Sequence, residues 1–502
     1  MSPLRRLPDV LTVRAHTSPD AVAQDDTHRA ITFAEWDAEA AAIGGGLTAS
    51  GVQVGDRVLL PITNNHGVDM AVVFIAVQRA GAIAVPLNTR LTQEEMKYFA
   101  QLTGAAWIVT DVPDKLPELQ VKAIWTVEDV PRDVSSLLDQ SALDPEGDLD
   151  IISTSGTTGR PKGVVFTHAD LVSKIGDGTR TTTSKVILHA LPYTGFGGCH
   201  GLMLSPLNFG STVIVQPHFD PAGMVELIET KRPDTLHLVP SMLRLILDQP
   251  GIEDRDFSSV RFVITGTAPL PADTVVRVHD LWPDIRVVNV YGQTESQARV
   301  ATRSQASVLK PGSVGSPDDP STVEIRDANG VAVATGVDGA IWTKAAVPRR
   351  YWGDEENTRK TWTGGWLDTG DIGHFDEDGD LILTGRSKEI IIRGGYNIGP
   401  GEVENVLLAH PAVADVAVVG VPHSVLGEDV AAAVVFHDGH VATAEQLAAF
   451  AGEHLAANKI PRTFVVMDAL PYNQNLKVVK RDLIPELTAA ADADRARRAA
   501  AR

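Results

Sequence analysis

A chain of 502 residues is too long for one ordinary core, so two or more domains are expected. Hydrophobic residues at 43% and charged residues at 22% give a globular composition, and a formal net charge of −20 argues against a general nucleic-acid binder while leaving room for a local basic pocket. The single cysteine, Cys199, excludes an intrachain disulfide and points to a reducing, cytoplasmic setting.

The opening "MSPLRRLPDVLTVRAHT" has basic residues but no sustained apolar run, so a secretory signal is not expected. No stretch approaches the ~20 apolar residues of a membrane span, so no membrane partner is expected. The runs "DRVLLPIT", "GAIAVPLN", "AAWIVTD", "STVIVQP", "DTLHLVP", "VRFVITG" and "RVVNVYG" read as strands. They alternate with helical segments such as "GVDMAVVFIAVQRA" and "PAGMVELIETKR", which predicts an α/β fold of parallel sheets covered by helices. "HFDEDGDLILTGR" reads as strand, acidic turn, strand; it lacks the spacing and terminal Glu of a calcium loop. A second domain is expected to begin near Lys388. The tail "TAAADADRARRAAAR" is a helix or a disordered end.

The segment Ser153–Gly163, "STSGTTGRPKG", holds three glycines, five hydroxyl side chains, one Arg and one Lys after the apolar pair Ile151–Ile152. Successive backbone N–H groups in such a turn form a concave anion site, hydroxyls add donors and Lys162 adds a full charge. Polyphosphate is the natural ligand, although the spacing is not that of the Walker loop. Composition alone would equally describe a plain surface turn. The chain contains no G-x-S-x-G, H-E-x-x-H or complete G-x-G-x-x-G, so a nucleophile-elbow hydrolase, a zinc protease and a Rossmann dehydrogenase lose support. His189, His200 and His237 lie near strands and read as packing or pocket-wall residues rather than metal ligands.

The ordered string "TSGTTGRPKG" resembles the phosphate-loop signature of the acyl-adenylate-forming superfamily, which includes acyl-CoA synthetases, nonribosomal adenylation domains and luciferases. "VYGQTES", "GWLDTGDIGHFDEDG", "LTGRSKEIIIRGGYNIGPGEVE" and "LPYNQNLKVVKRDL" resemble its later signatures in the family's order, from about Asp26 to Leu483. The resemblance implies that Thr154, Ser155, Gly156, Thr157, Thr158, Gly159 and Lys162 hold ATP phosphates. It sets Gly266, Thr267 and Ala268 against adenine, although Gly is commoner at position 267, and Tyr291 where its ring can stack on that base. Thr294 would bond a phosphate oxygen and Glu295 would help hold Mg²⁺. Asp371 would accept both ribose hydroxyls, as an acceptor-only carboxylate can, with Arg386 adding a ribose or phosphate contact.

The same resemblance implies a large adenylation domain of sheets layered with helices, 1–387, and a small mobile α+β lid, 388–502, hinged at Lys388. Lys477 would serve the first half-reaction, and Gly394 and Gly395 would line a tunnel for a thiol, most simply that of coenzyme A. The acyl pocket would involve Tyr193, Thr194, Gly195, Phe196, Gly197 and Val239. Thr194 and Gly195 stand where acyl-CoA synthetases often carry an aromatic–His pair. Those glycines would either widen the pocket or serve packing.

No Asp lies between Leu191 and Gly210, which disfavours an α-amino acid, and "VPSML" lacks an Arg for a second carboxylate. An aliphatic, aromatic or polycyclic monocarboxylic acid remains. Leu476 stands where the family usually has Gly before the lysine. An enzyme that makes only the adenylate and passes it to a carrier protein or a separate thioesterifying enzyme is therefore the alternative. A non-catalytic nucleotide sensor would be expected to lack Glu295, Asp371 or Lys477, and all three are present.

Overall fold

The computed structural model describes residues 6–154, 161–182, 184–268, 270–296, 298–303, 312–344, 349–472 and 478–500. The chain divides into two compact units: Met1–Leu238 with Asp248–Val263 and Ala346–Gly365, and Val239–Leu247 with Ile264–Ala345 and Trp366–Arg502.

In the first unit, Ile83–Pro86, Arg57–Leu60, Trp107–Thr110 and Ala123–Thr126 pair in parallel. Val22–Asp25, Thr212–Val215, Val186–His189 and Thr235–Leu238 form a second parallel run. Their near-continuous apolar sequences suit strands covered on both faces. Helix Gly67–Arg79 is buried at nearly every position, as its all-round apolar sequence requires. Helix Pro221–Lys231 is capped by the Asp220 carboxylate, which accepts from Gly223 N at 2.8 Å.

The second unit contains an antiparallel sheet built from Val323–Arg326, Gly339–Lys344, Trp366–Phe375 and Leu381–Arg386. The acidic segment between its last two strands is the expected turn: Asp376 Oδ1 accepts from Asp378 N at 3.0 Å and Asp380 N at 2.9 Å. Beyond it, Val413–His423 and Gly427–Phe436 form a long antiparallel pair, joined by Ile391–Arg393 and, in parallel, by Thr463–Val466. Alternation along this pair sends Val416, Val418, Val430, Ala432 and Val434 toward Leu407 and Leu447, and Ala417, Val419, Ala431 and Ala433 toward Leu483 and Leu487. Helices Pro400–Leu408 and Ala444–Gly452 thus cover one face and Lys480–Ala500 the other. The α/β strands and helices expected from the sequence are present, and the tail is helical to Ala500. Among the described residues no helix is long and apolar enough to cross a membrane.

Candidate active site

Within the second unit, strand Arg286–Gln293 carries Tyr291 and strand Trp366–Phe375 carries Asp371; the Tyr291 hydroxyl donates to Asp371 Oδ2 at 2.6 Å. Asp371 stands opposite Arg386 in antiparallel register, and Arg386 Nε lies 3.0 Å from Asp371 Oδ1. Asp371 is 5% exposed, so its charge needs these two donors. Each carboxylate oxygen still has acceptor capacity, which is what a ribose diol requires. Burial, and then the Asp371 charge, hold the Tyr291 phenol well above its usual range, so it remains a donor. Asp371 raises Arg386 against the opposing effect of burial, with Glu389, Tyr291 and Glu295 adding to the rise.

Thr294 and Glu295 occupy a single helical turn, Thr294–Ser296, at the end of the Tyr291 strand. Ser296 Oγ donates to Gln293 O at 2.9 Å and fixes that turn. Gln293 Nε2 is buried without a hydrogen-bond partner, a donor that the sequence did not single out. The carboxylate of Glu295 and the hydroxyl of Thr294 are hard oxygen donors, a set that fits Mg²⁺ shared with phosphate oxygens. Gly266 ends strand Phe262–Gly266, where a Cβ would fall 2.5 Å from Val290 O. Thr267 follows at φ +71°, a left-handed conformation that costs a β-branched residue energy and suits the glycine expected there. Ala268 is half-buried beside it.

In the first unit, Ser153–Gly163 joins two antiparallel strands, Asp148–Thr154 and Lys162–Thr167, with Thr154 paired to Lys162 and Ser153 to Gly163. The strands on either side of the phosphate-loop motif are thus antiparallel partners. Ser155, Gly156, Thr157, Thr158 and Gly159 lie outside the described residues. Lys162 Nζ sits 4.5 Å from the Tyr351 ring centroid.

The acyl-side segment leads into a π-helix, Gly197–Met203, a rare geometry that is frequent at functional sites. Tyr193 is 1% exposed; its hydroxyl donates to Gln24 Oε1 at 2.8 Å and its N to Asn64 Oδ1 at 3.1 Å. Thr194 is also buried, and Gly195 O accepts from Cys199 N at 2.7 Å. Phe196 stacks on Phe166 at 5.6 Å and meets His200 edge-on at 5.1 Å. The glycines divide by role. A Cβ on Gly198 would fall 1.9 Å from Pro192 O, whereas one on Gly197 would meet only Leu191 Cδ2 at 3.9 Å. Val239, in the second unit, is buried and precedes helix Pro240–Leu247.

His200 Nε2 lies 2.5 Å from Asp150 Oδ2, a pair that sequence reasoning missed because no local pattern links the two. Burial drives the Asp150 carboxyl up against the pull of His200 and Arg349. His189 is fully buried and accepts from Leu191 N at 3.0 Å through Nδ1; burial, then nearby His237, lowers it to about 3. It is a neutral packing histidine.

Lys388 is exposed in the turn after Arg386, where Glu389 N donates to Arg386 O at 2.9 Å. Gly394 and Gly395 take φ +58° and +88°, conformations that favour glycine, and a Cβ on Gly395 would meet nothing within 4 Å. Lys477 lies outside the described residues. Lys480, downstream of it, has its Nζ 2.7 Å from Glu404 Oε1 and 3.2 Å from Glu389 Oε2.

The AMP-binding enzyme family matches residues 11–352, and the AMP-binding enzyme C-terminal domain matches residues 402–477. A 2-succinylbenzoate–CoA ligase of Bacillus cereus (strain Q1) is 32% identical over 485 residues, covering 96% of this chain and 98% of its own. A long-chain-fatty-acid–CoA ligase of Mycobacterium tuberculosis (strain ATCC 25618 / H37Rv) is 31% identical over 502 residues, with the same coverage of 96% and 98%. The solved structure of an O-succinylbenzoate coenzyme A synthetase from Bacillus subtilis, in complex with ATP and magnesium ion, superposes with a TM-score of 0.82 at 28% identity, covering 95% of this chain and 99% of that one. Sequence motifs and fold agree with these matches, and the chain belongs to the AMP-binding enzyme family of the acyl-adenylate-forming superfamily.

Proposed function

We propose that this protein is an acyl-CoA synthetase-like ligase that activates a non-amino monocarboxylic acid with MgATP and transfers the acyl group to the thiol of coenzyme A. The observation that carries the proposal is the Tyr291–Asp371–Arg386 cluster, a buried carboxylate fixed by two donors at the place where the family motifs put the nucleotide. Full-length relatives named as CoA ligases support the same reading.

In the first step, a carboxylate oxygen of the acid bonds to the α-phosphorus of ATP, and the bond from that phosphorus to the bridging oxygen breaks, releasing pyrophosphate. In the second, the thiol sulfur bonds to the acyl carbon, AMP departs with the bonding electrons, and the thiol proton goes to solvent or buffer. No protein nucleophile is required, so the residues contribute positioning and charge stabilisation. Asp371 orients ribose through its free acceptor capacity, Tyr291 presents its ring to adenine, and Lys162 and Arg386 offset phosphate charge. Glu295 would hold Mg²⁺, which neutralises phosphate charge when bound. Lys477 serves the first step. The 388–502 segment acts as a lid turning at Lys388, and Gly394 and Gly395 admit the thiol arm to the domain formed by 1–387.

The two relatives are named for different acids at nearly equal identity, so the acid depends on this chain's own pocket. Arg244, on the helix that begins after Val239, is engaged with Ala414 and Asp415, which supports an acid with one carboxylate. Pyrophosphate–ATP exchange across aliphatic, aromatic and polycyclic acids tests the reading. Acid-dependent exchange with AMP as product is expected; acid-dependent ADP would overturn it. Exchange without thioester on CoA would favour delivery to a carrier protein or a second enzyme.

A further inference from the structure

Asp150 lies on strand Asp148–Thr154, opposite Phe166 in antiparallel register. Cys199 and His200 are consecutive residues of the π-helix Gly197–Met203. The fold of the first compact unit brings the three together, with one ligand atom from each within 4.8 Å of the other two. Asp150 and Cys199 are fully buried, and the His200 side chain is 7% exposed. Position near a strand gave His200 no partner in the sequence; the fold supplies a carboxylate and a free thiol.

The contact between His200 Nε2 and Asp150 Oδ2 uses one polar atom of each side chain. The other atom of each, Asp150 Oδ1 and His200 Nδ1, is buried without a hydrogen-bond partner. Buried polar atoms are nearly always satisfied, so two bare ones beside a thiol point to a further ligand. Arg349 attracts the Asp150 charge, but its Nη1 is engaged with Asp170 and its guanidinium lies over the Phe166 ring at 4.4 Å. Phe166 and Phe196 meet the His200 ring edge-on at 4.6 and 5.1 Å, so the cluster rests against apolar walls.

A thiolate, an imidazole and a carboxylate are the donor types of Zn²⁺, whereas Mg²⁺ takes oxygen donors. The thiolate and the carboxylate together carry two negative charges. A divalent ion cancels both, which leaves a neutral site in apolar surroundings. Tetrahedral bonds of about 2.0–2.3 Å hold their donors about 3.3–3.6 Å apart, so side-chain shifts of about 1 Å close the site. We propose that Asp150, Cys199 and His200 bind one Zn²⁺ ion, with a water molecule in the fourth position. The thiol proton leaves to solvent as the Zn–S bond forms. Gly201, next to His200, is exposed, and a Cβ there would meet nothing within 4 Å, so solvent lies one residue away. The ion would clip the π-helix to strand Asp148–Thr154. No nucleotide motif contributes a ligand, and the site does not depend on the ligase reading.

The test uses the full-length chain, tag-free, reduced and stripped with a chelator. Co²⁺ titration should give the thiolate-to-cobalt charge-transfer band and the strong visible bands of a tetrahedral ion, saturating at one ion per chain. Zn²⁺ should displace Co²⁺, and excess Mg²⁺ should not. Cys199→Ser, the mildest change, should abolish the charge-transfer band. Each of Cys199→Ser, His200→Gln and Asp150→Asn should weaken Zn²⁺ binding by about 100-fold or more, beyond the usual cost of losing an outer-shell partner. Zn²⁺ should raise the Tm of wild type and leave that of the variants unchanged. X-ray absorption of the Zn²⁺-loaded wild type needs no variant to fold, and should show one sulfur at about 2.3 Å with nitrogen and oxygen at about 2.0–2.2 Å. A wild type without the charge-transfer band, a band that survives Cys199→Ser, displacement by Mg²⁺ or a shell without sulfur would overturn the site.

Discussion

The Tyr291 hydroxyl donates to Asp371 Oδ2 at 2.6 Å, joining the residue expected at adenine to the residue expected at ribose. Tyr291→Phe deletes that bond and leaves Asp371 with Arg386 as its side-chain partner. A hydrogen bond to a charged group is worth about 1.5–3 kcal/mol, so KM for ATP should rise about 10-fold or more while kcat changes less. Steady-state kinetics with varied ATP check this. An unchanged KM would mean that the tyrosine does not organise the ribose site.

Lys477 offers a single cation for charge developing on the α-phosphate. By analogy with removal of one oxyanion-hole donor, Lys477→Ala should cut adenylate formation about 10²–10³-fold. Thioester formation from supplied acyl-adenylate should survive, and Gly394→Trp should show the opposite pattern. Rapid-quench measurement of the two steps separates them. If Lys477→Ala slows both steps equally, an alternating lid is wrong for this protein. Should wild type adenylate but give no thioester, Leu476→Gly is the variant that ought to restore transfer.

Gly197 and Gly198 are adjacent but should respond differently. A Cβ at Gly198 would fall 1.9 Å from Pro192 O, so Gly198→Ala must displace backbone and should cost about 1–3 kcal/mol or more, seen as a lower melting temperature. Gly197→Ala has room and should leave stability within about 0.5 kcal/mol, whereas Gly197→Trp should exclude large acids while sparing ATP binding. Identical acid profiles for Gly197→Trp and wild type would assign both glycines to packing.

His168 and His189 are buried, and each accepts a backbone N–H through Nδ1, from Leu7 at 3.4 Å and Leu191 at 3.0 Å. Burial lowers both to about 3, with Arg6 adding to the fall at His168 and His237 at His189. The folded values lie below the unfolded value of about 6.5, so their contribution is complete above that pH and is lost as pH falls toward 3. Each histidine should add a slope of about 1.4 kcal/mol per pH unit between roughly pH 6 and 4. Asp150, raised by burial, contributes with the opposite sign. Urea titrations of wild type and His189→Asn across this range isolate one histidine. Parallel stability curves would show that His189 does not titrate as its burial requires.

Thr267 is held at φ +71°. A left-handed conformation costs a non-glycine residue about 1–2 kcal/mol, partly offset by the greater unfolded-state freedom of glycine. Thr267→Gly should therefore stabilise the protein by up to about 1 kcal/mol, read as an increased denaturation midpoint. A loss of stability would show that the threonine side chain makes a contact worth more than its strain.

The sequence by itself determined the alternation of strands and helices, the order of the family motifs and the glycine-rich segment that follows an apolar pair. These are local properties: a period of two or 3.6 residues, a run of glycines and hydroxyls, a Y-G-x-T-E string. Even the departure at Thr267 was visible as a residue type out of place. Only the tertiary structure decided that Tyr291 meets Asp371 across 80 residues, that His200 meets Asp150 across 50, and that Arg244 reaches Ala414 across 170. It also decided that Gly198 serves packing and that Gly197 has room for a Cβ, because that distinction depends on where Pro192 O lies. Such contacts arise when the chain closes long loops to bury apolar surface, and the polar groups carried along must then find partners among whatever segments the core has brought beside them.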